Sequence, residues 1–151
     1  MNSLKHTGDP GLTDCNITIS PQDITANPDA PVTISYSGNV WSHPACPECI
    51  DQVVIGLEDT PLLCAYDAVP GNYPGDSFSG TLRFTAPQTS GTYRIFGIVA
   101  SQYACEDAEY WYRQHPELRF QLGTLRVGAP TPTAEAPTLA LITTSIYKYK
   151  R

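Results

Sequence analysis

Residues 80–99 read GTLRFTAPQTSGTYRIFGIV. Leu82 and Phe84 alternate with Thr81, Arg83 and Thr85, the period of a strand with one face in a core. The pattern stops at Ala86-Pro87 and resumes from Thr92 to Val99. Proline cannot donate to a ladder, and Ser90-Gly91 is a turn pair, so two strands joined by a short connection are predicted.

The same grammar extends in both directions. Residues 15–20 alternate and stop at Pro21, and Val32, Ile34 and Tyr36 share one face of a strand over 32–37. Residues 50–57, IDQVVIGL, are apolar enough for a central strand. Glu58-Asp-Thr-Pro61 is a turn, and 62–66 returns. In 119–127 the apolar phase slips, with Phe120 and Leu122 even but Leu125 and Val127 odd, which predicts a β-bulge at Gly123. One segment is helical: 106–114 has acids in its first turn and Arg113 in its last, and Pro116 forces an exit. Seven strands with a short helix between the last two predict an all-β sandwich.

Ala86–Tyr93, a Pro-containing turn and then Gly-x-Tyr opening a strand, resembles the corner before the penultimate strand of immunoglobulin-like domains. There a tyrosine hydroxyl ties the strand to the preceding turn, and Tyr93 holds that place. More widely, CPECIDQVV (46–54), LCAYDAVPGNYPG (63–75), GTYRI (91–95) and QYACEDA (102–108) resemble Ig-like modules of bacterial surface and secreted multidomain proteins. The resemblance covers residues 30–128. It implies an immunoglobulin-like β-sandwich and an extracellular or cell-surface location, and no catalytic activity.

The charge balance excludes one class of partner. Between Cys15 and Pro137 five arginines face thirteen acids, a net −8, while Lys148-Tyr-Lys-Arg151 carries +3. Nucleic-acid binding needs a basic stripe, and the body has none. No run of about 18 apolar residues is present, so no membrane span is expected. The first ten residues lack the apolar core of a signal peptide, so the chain reads as cytosolic or as a form whose export signal is gone. Five cysteines favour the second, in an oxidising compartment. Asn16-Ile-Thr18 is an N-glycosylation sequon, relevant only in a glycosylating compartment.

In a sandwich, Cys46, Cys49, Cys64 and Cys105 gather near one pole and Cys15 lies apart. Three readings compete. Two disulfides would anchor the long loops. Alternatively, the four sulfurs, with His43 nearby, would bind structural zinc in a protein-interaction domain. A redox C-x-x-C is the weakest, because Cys46-Pro-Glu-Cys49 precedes a strand and not a helix. Four cysteines allow three pairings. The preferred one is Cys49–Cys64 with Cys46–Cys105, leaving Cys15 as a free or intermolecular thiol.

The same pole is expected to collect Trp41, Tyr73, Asp76, Trp111 and Tyr112. Aromatic faces beside carboxylates are what a carbohydrate-binding module uses, although aromatics under long loops also form miniature cores. No Gly-x-Ser-x-Gly, phosphate loop or His-Glu-x-x-His occurs, so nothing makes a case for an enzyme and no cofactor is implied.

The sequence divides into a flexible segment at 1–12, the sandwich at 13–128, a Pro-rich linker at 129–137 and a C-terminal strand at 138–151. The last segment is apolar and β-branched, and a strand of this kind is not stable alone. It folds back, begins a following module, or adds to a neighbour's sheet edge through Leu139, Leu141, Ile142, Ile146, Tyr147 and Tyr149. Intermolecular addition is preferred. The leading expectation is therefore a non-enzymatic, self-assembling surface filament subunit, with glycans as alternative partners.

Overall fold

The structure, a computed structural model, describes residues 2–5, 13–42, 51–67 and 76–129; at 2–5, 13–14, 41–42 and 76 it describes the backbone alone. Nine strands, one helix and a 3₁₀ turn appear in the order β1 (Asn2–Lys5), β2 (Thr13–Ser20), β3 (Asp23–Ala26), β4 (Pro31–Ser42), β5 (Gln52–Leu57), β6 (Thr60–Asp67), β7 (Asp76–Thr85), β8 (Gly91–Ala100), α1 (Cys105–Gln114), the 3₁₀ turn Pro116–Leu118 and β9 (Phe120–Val127).

The strands form two sheets, ordered β1-β2-β4-β7 and β3-β9-β8-β5-β6. Every pairing is antiparallel except β3 with β9. The chain crosses between sheets after β2, at the cis Ser20–Pro21 bond, so one N-terminal run serves both. Greek-key crossing between two packed sheets, with the penultimate strand central, is the immunoglobulin-like sandwich expected. The sixth strand pairs with β5 and not with β7, so the β7 side of the first sheet ends one strand short of the four-on-three arrangement of constant-type domains.

Alternation places the core. Ile17, Ile34 and Leu82 of the first sheet meet Ile55, Ile95 and Leu125 of the second, all at most 4% exposed. The polar alternates of β4 and β7, such as Ser35, Ser37, Ser79 and Thr81, face out. Two aromatic–glycine pairs sit directly across strands. Tyr36 opposes Gly80 and Phe78 opposes Gly38, and a Cβ on either glycine would run into the opposing ring. Each ring thus fills the space its partner leaves. Gly97 and Phe120 repeat the device on β8 and β9.

Two local expectations meet specific geometry. The β8–β9 register jumps from Ile95↔Gly123 to Phe96↔Gln121, so a bulge precedes Gly123 and returns both halves of β9 to the core. A Cβ at Gly123 would strike the Gln22 carbonyl, and it is this carbonyl that accepts from Thr124 N–H (2.8 Å) where β3 joins β9. Tyr93 Oη donates to the Thr89 carbonyl at 2.6 Å, closing the corner read from Gly91-Thr-Tyr93. Tyr93→Phe removes that bond and leaves the ring in place. A loss of about 1 kcal/mol in urea unfolding is expected.

Two features depart from the sequence reading. Residues 1–12 are not flexible throughout, because Asn2–Lys5 pairs with Ile17–Asp14 as an edge strand. Short polar strands such as NSLK carry no period-two signal of their own. Strand β3, DITA, does alternate, with Ile24 and Ala26 packed against the core, but at four residues between Pro21 and Pro28 it is too short for its period to stand out. The linker and the C-terminal strand lie outside the described residues.

Candidate functional site

The helix decides where the candidate residues stand. The sequence reading keeps α1 near the cysteine pole. The structure instead lays it along the outer face of the second sheet, parallel to β5. Its start meets Gln52 at the head of β5, and Tyr112 meets Glu58 just past the strand's end. Ala108 and Tyr112, four residues apart, face Val54, Ile98 and Ala100, and all five are completely buried. Both faces of β5 are therefore covered, which is why all six of its residues are buried.

One disulfide fixes the start of the helix: Cys64 of β6 is bonded to Cys105, with Cα atoms 5.8 Å apart. This overturns the expected pairing of Cys49 with Cys64 and Cys46 with Cys105. Because α1 lies over β5 and β6, Cys105 is set onto Cys64 across the sheet and not onto the 43–50 segment. Cys46 and Cys49 themselves lie outside the described residues. With two of its four sulfurs joined to each other, the four-cysteine zinc site cannot form. Gln52, fully buried, donates from Nε2 to the Gln102 carbonyl (3.2 Å), and its Oε1 lies 4.0 and 3.9 Å from the two sulfurs. Asp51 beside it is also buried and accepts from Ser101 Oγ at 2.8 Å.

The far end of α1 carries a dense polar cluster. Tyr112 Oη donates to the Glu58 carbonyl at 2.7 Å. The Arg119 guanidinium, its side chain 3% exposed, lies 4.2 Å from the centre of the Tyr112 ring. It donates from Nε to the Tyr112 carbonyl (2.8 Å), from Nη1 to the Glu58 carbonyl (3.2 Å) and Asp59 Oδ1 (2.7 Å), and from Nη2 to the Arg113 carbonyl (3.4 Å). Gly56 makes room beneath, since a Cβ there would meet the Tyr112 phenol and the Thr60 carbonyl.

Glu58 itself holds φ +48° at the first position of the two-residue β5–β6 turn. Its carboxylate accepts from the Arg94 backbone N–H (2.6 Å) and guanidinium (3.2 and 3.0 Å). That bonding to Arg94 holds the Glu58 carboxyl below its usual range, against the opposing effect of burial. Burial pushes the Tyr112 phenol up, with the nearby Arg119 charge pulling the other way. A neutral tyrosine and a guanidinium shared between three backbone carbonyls and the Asp59 carboxylate are a structural clamp. They hold turn, helix and final strand together.

Two of the sequence candidates for ligand binding, Trp111 and Tyr112, are placed by the helix. Tyr112 is fully buried in the clamp and presents no face to a ligand. Trp111 is half-buried, its ring 3.9 Å from that of His115, which in turn bonds Glu117 (2.9 Å); that bond holds the Glu117 carboxyl below its usual range. The helix carries both away from the expected pole. Trp41 lies on β4 and Asp76 opens β7, each described by backbone alone, and Tyr73 lies outside the described residues. The partner residues that sequence reasoning missed are Glu58 and Arg119. The visible signal was an arginine directly after the helix-breaking Pro116-Glu-Leu118.

Cys15 is a free thiol, and it is buried in the sandwich opposite Val40. Burial, reinforced by the charge of Asp51, pushes it up to about 12. It is a small core residue and not an intermolecular thiol. Asn16 points outward beside Thr18 on β2, half-buried. Both line an open groove of about 350 Å³ on the first sheet with Ser37, Asn39, Ser77 and Ser79. Among the described residues no helix is long and apolar enough to cross a membrane.

No family model and no curated relative matches the sequence. Among solved structures, the chain is similar to the CARDB domain of the PF1109 protein from Pyrococcus furiosus, crystallised in complex with di-metal ions. The identity is 14%, over 84% of this chain and 90% of that one, with a TM-score of 0.30. A likeness at this level carries no functional inference for the present chain.

Proposed function

We propose that this chain is a non-enzymatic structural or adhesive module of an extracellular surface, self-assembling through residues 138–149. One observation carries the reading: the described residues already form a two-sheet sandwich with a buried core. Leu125 and Val127 of β9 are already buried in the core, and Gly128 N–H caps the exit by donating to the Ala26 carbonyl (3.0 Å). The apolar, β-branched sequence of 138–149 would need a partner as a strand, and a sheet edge is the partner such a backbone fits.

The Cys64–Cys105 bond supports an oxidising, extracellular compartment. The Tyr112 hydroxyl and the Arg119 guanidinium are bonded to carbonyls of the turn and the helix, which supports a module that holds shape. Deleting residues 129–151 tests the assembly. Assemblies seen by light scattering for the full chain are expected to disappear, leaving a folded monomer. Assemblies of unchanged size would rule out the tail as the connector.

A further inference from the structure

Among the described residues the two sheets have four edge strands, and three of them are poor templates. Strands β1 and β3 are four residues long. Strand β6 contains Pro61, and its register with β5 shifts twice. Bulges, prolines and shortness are the usual ways an edge is blunted. Strand β7 has none of them: it pairs with β4 through ten consecutive residues without a shift, and DSFSGTLRFT contains neither proline nor lysine.

The direction of its free groups follows from the ladder. Ala86 N–H donates to the Ala30 carbonyl at 2.8 Å, continuing the β4–β7 register by one pair. Antiparallel ladders alternate, so the even-numbered residues of β7 bond toward β4. The N–H and C=O groups of Ser77, Ser79, Thr81, Arg83 and Thr85 therefore point off the edge. Beside that edge, across the mouth of the sandwich, Leu62, Tyr66 and Phe84 are only half-buried.

We propose that the free edge of β7 accepts residues 138–149 of a second copy, added antiparallel; this rests on the assembly reading above. The lengths agree, twelve residues for a ten-residue edge. In a strand, Leu139, Leu141, Tyr147 and Tyr149 share one face, the right chemistry to cover Leu62, Tyr66 and Phe84. Charge sets the direction. Antiparallel addition brings Lys148, Lys150 and Arg151 to the end where Asp76 opens β7 and exposed Asp67 closes β6. Parallel addition would bring them to Arg83.

The exit of the chain favours a second copy over the chain's own tail. Gly128 is held by Ala26 and by Ser90 Oγ (3.0 Å), beside β3, on the flank opposite β7. By composition, the Pro-rich stretch 129–137 favours an extended path of about 3 Å per residue over a tight return. Addition from copy to copy in this way is head-to-tail, and wherever the rotation between copies does not close into a ring it builds a filament.

The test uses full-length chains in sedimentation velocity. Thr81→Pro removes an outward N–H without touching the β4 ladder, and edge strands tolerate proline there. Ser79→Pro does the same at an independent site, and circular dichroism checks the fold of both. Leu141→Asp with Ile142→Asp disables the tail. The wild type should sediment as large assemblies and each variant as a monomer. A mixture of Thr81→Pro, with its intact tail, and the tail variant, with its intact edge, should give a one-to-one dimer that grows no further. Asp67→Lys in the tail variant should weaken that dimer roughly tenfold. If folded proline variants assemble like the wild type while the tail variant is monomeric, β7 is not the acceptor but tail-mediated assembly stands. If the wild type is monomeric, both ideas fall. If the mixture does not dimerise, the pairing of tail with β7 is overturned.

Discussion

Tyr112→Ala is expected to cost about 3–5 kcal/mol, the range for deleting a buried aromatic. The ring is fully buried between the outer face of β5 and the Arg119 guanidinium. Its loss empties the second hydrophobic cluster and removes a cation–π contact with a desolvated arginine. Tyr112→Phe separates packing from bonding. It deletes only the hydroxyl, and the Glu58 carbonyl keeps its bond from Arg119 Nη1 (3.2 Å), so a loss of about 1 kcal/mol is expected. Urea unfolding of both variants measures the difference. Equal losses would mean that the ring is not the keystone of the helix layer. Against a total stability of about 5–15 kcal/mol, the alanine variant stands near the threshold of folding.

The second large effect belongs to the Cys64–Cys105 bond. The cysteines are 41 residues apart, and closing a loop of that length in the unfolded chain stabilises the native state by about 4 kcal/mol in the chain-entropy model. The Cys64→Ala, Cys105→Ala double variant is expected to lose about 3–4 kcal/mol in urea unfolding. The loss should be uneven in space. Amides of the first turn of α1 should exchange faster than those near Tyr112, because the clamp still holds the far end. Uniform exchange along the helix would show that the bond does not act as a local anchor.

The strands were legible because their faces differ. Val32-Thr-Ile-Ser-Tyr36 states its own burial pattern, and the phase slip around Gly123 located a bulge that the β8–β9 register shows. Tyr93 was legible because its corner uses residues close in sequence. The helix layer was legible only in part. Val53-Val54-Ile55 and Ile95-Phe96-Gly97-Ile98 are apolar on both faces, which says that something covers the second face without saying what. Which cysteine meets which depends on where the helix lies across the sheet, and that is set by Tyr112, Gly56 and Arg119 together. No local pattern encodes a contact between residues 56 and 112, so the cysteine pairing and the role of Tyr112 were misread. Tyr112 looked like a binding aromatic because its type suits both roles, and only burial tells them apart.

The cross-strand rings over Gly38, Gly80 and Gly97 constrain how this sequence can drift. In each pair a single side chain occupies the volume of two positions. A glycine that gains a side chain alone meets a ring, and a ring that is lost alone leaves bare backbone and a hole. Substitution one residue at a time therefore passes through a destabilised intermediate from either direction. Each pair is therefore expected to change together or not at all, which makes the register of these ladders harder to mutate than their hydrophobicity alone would require.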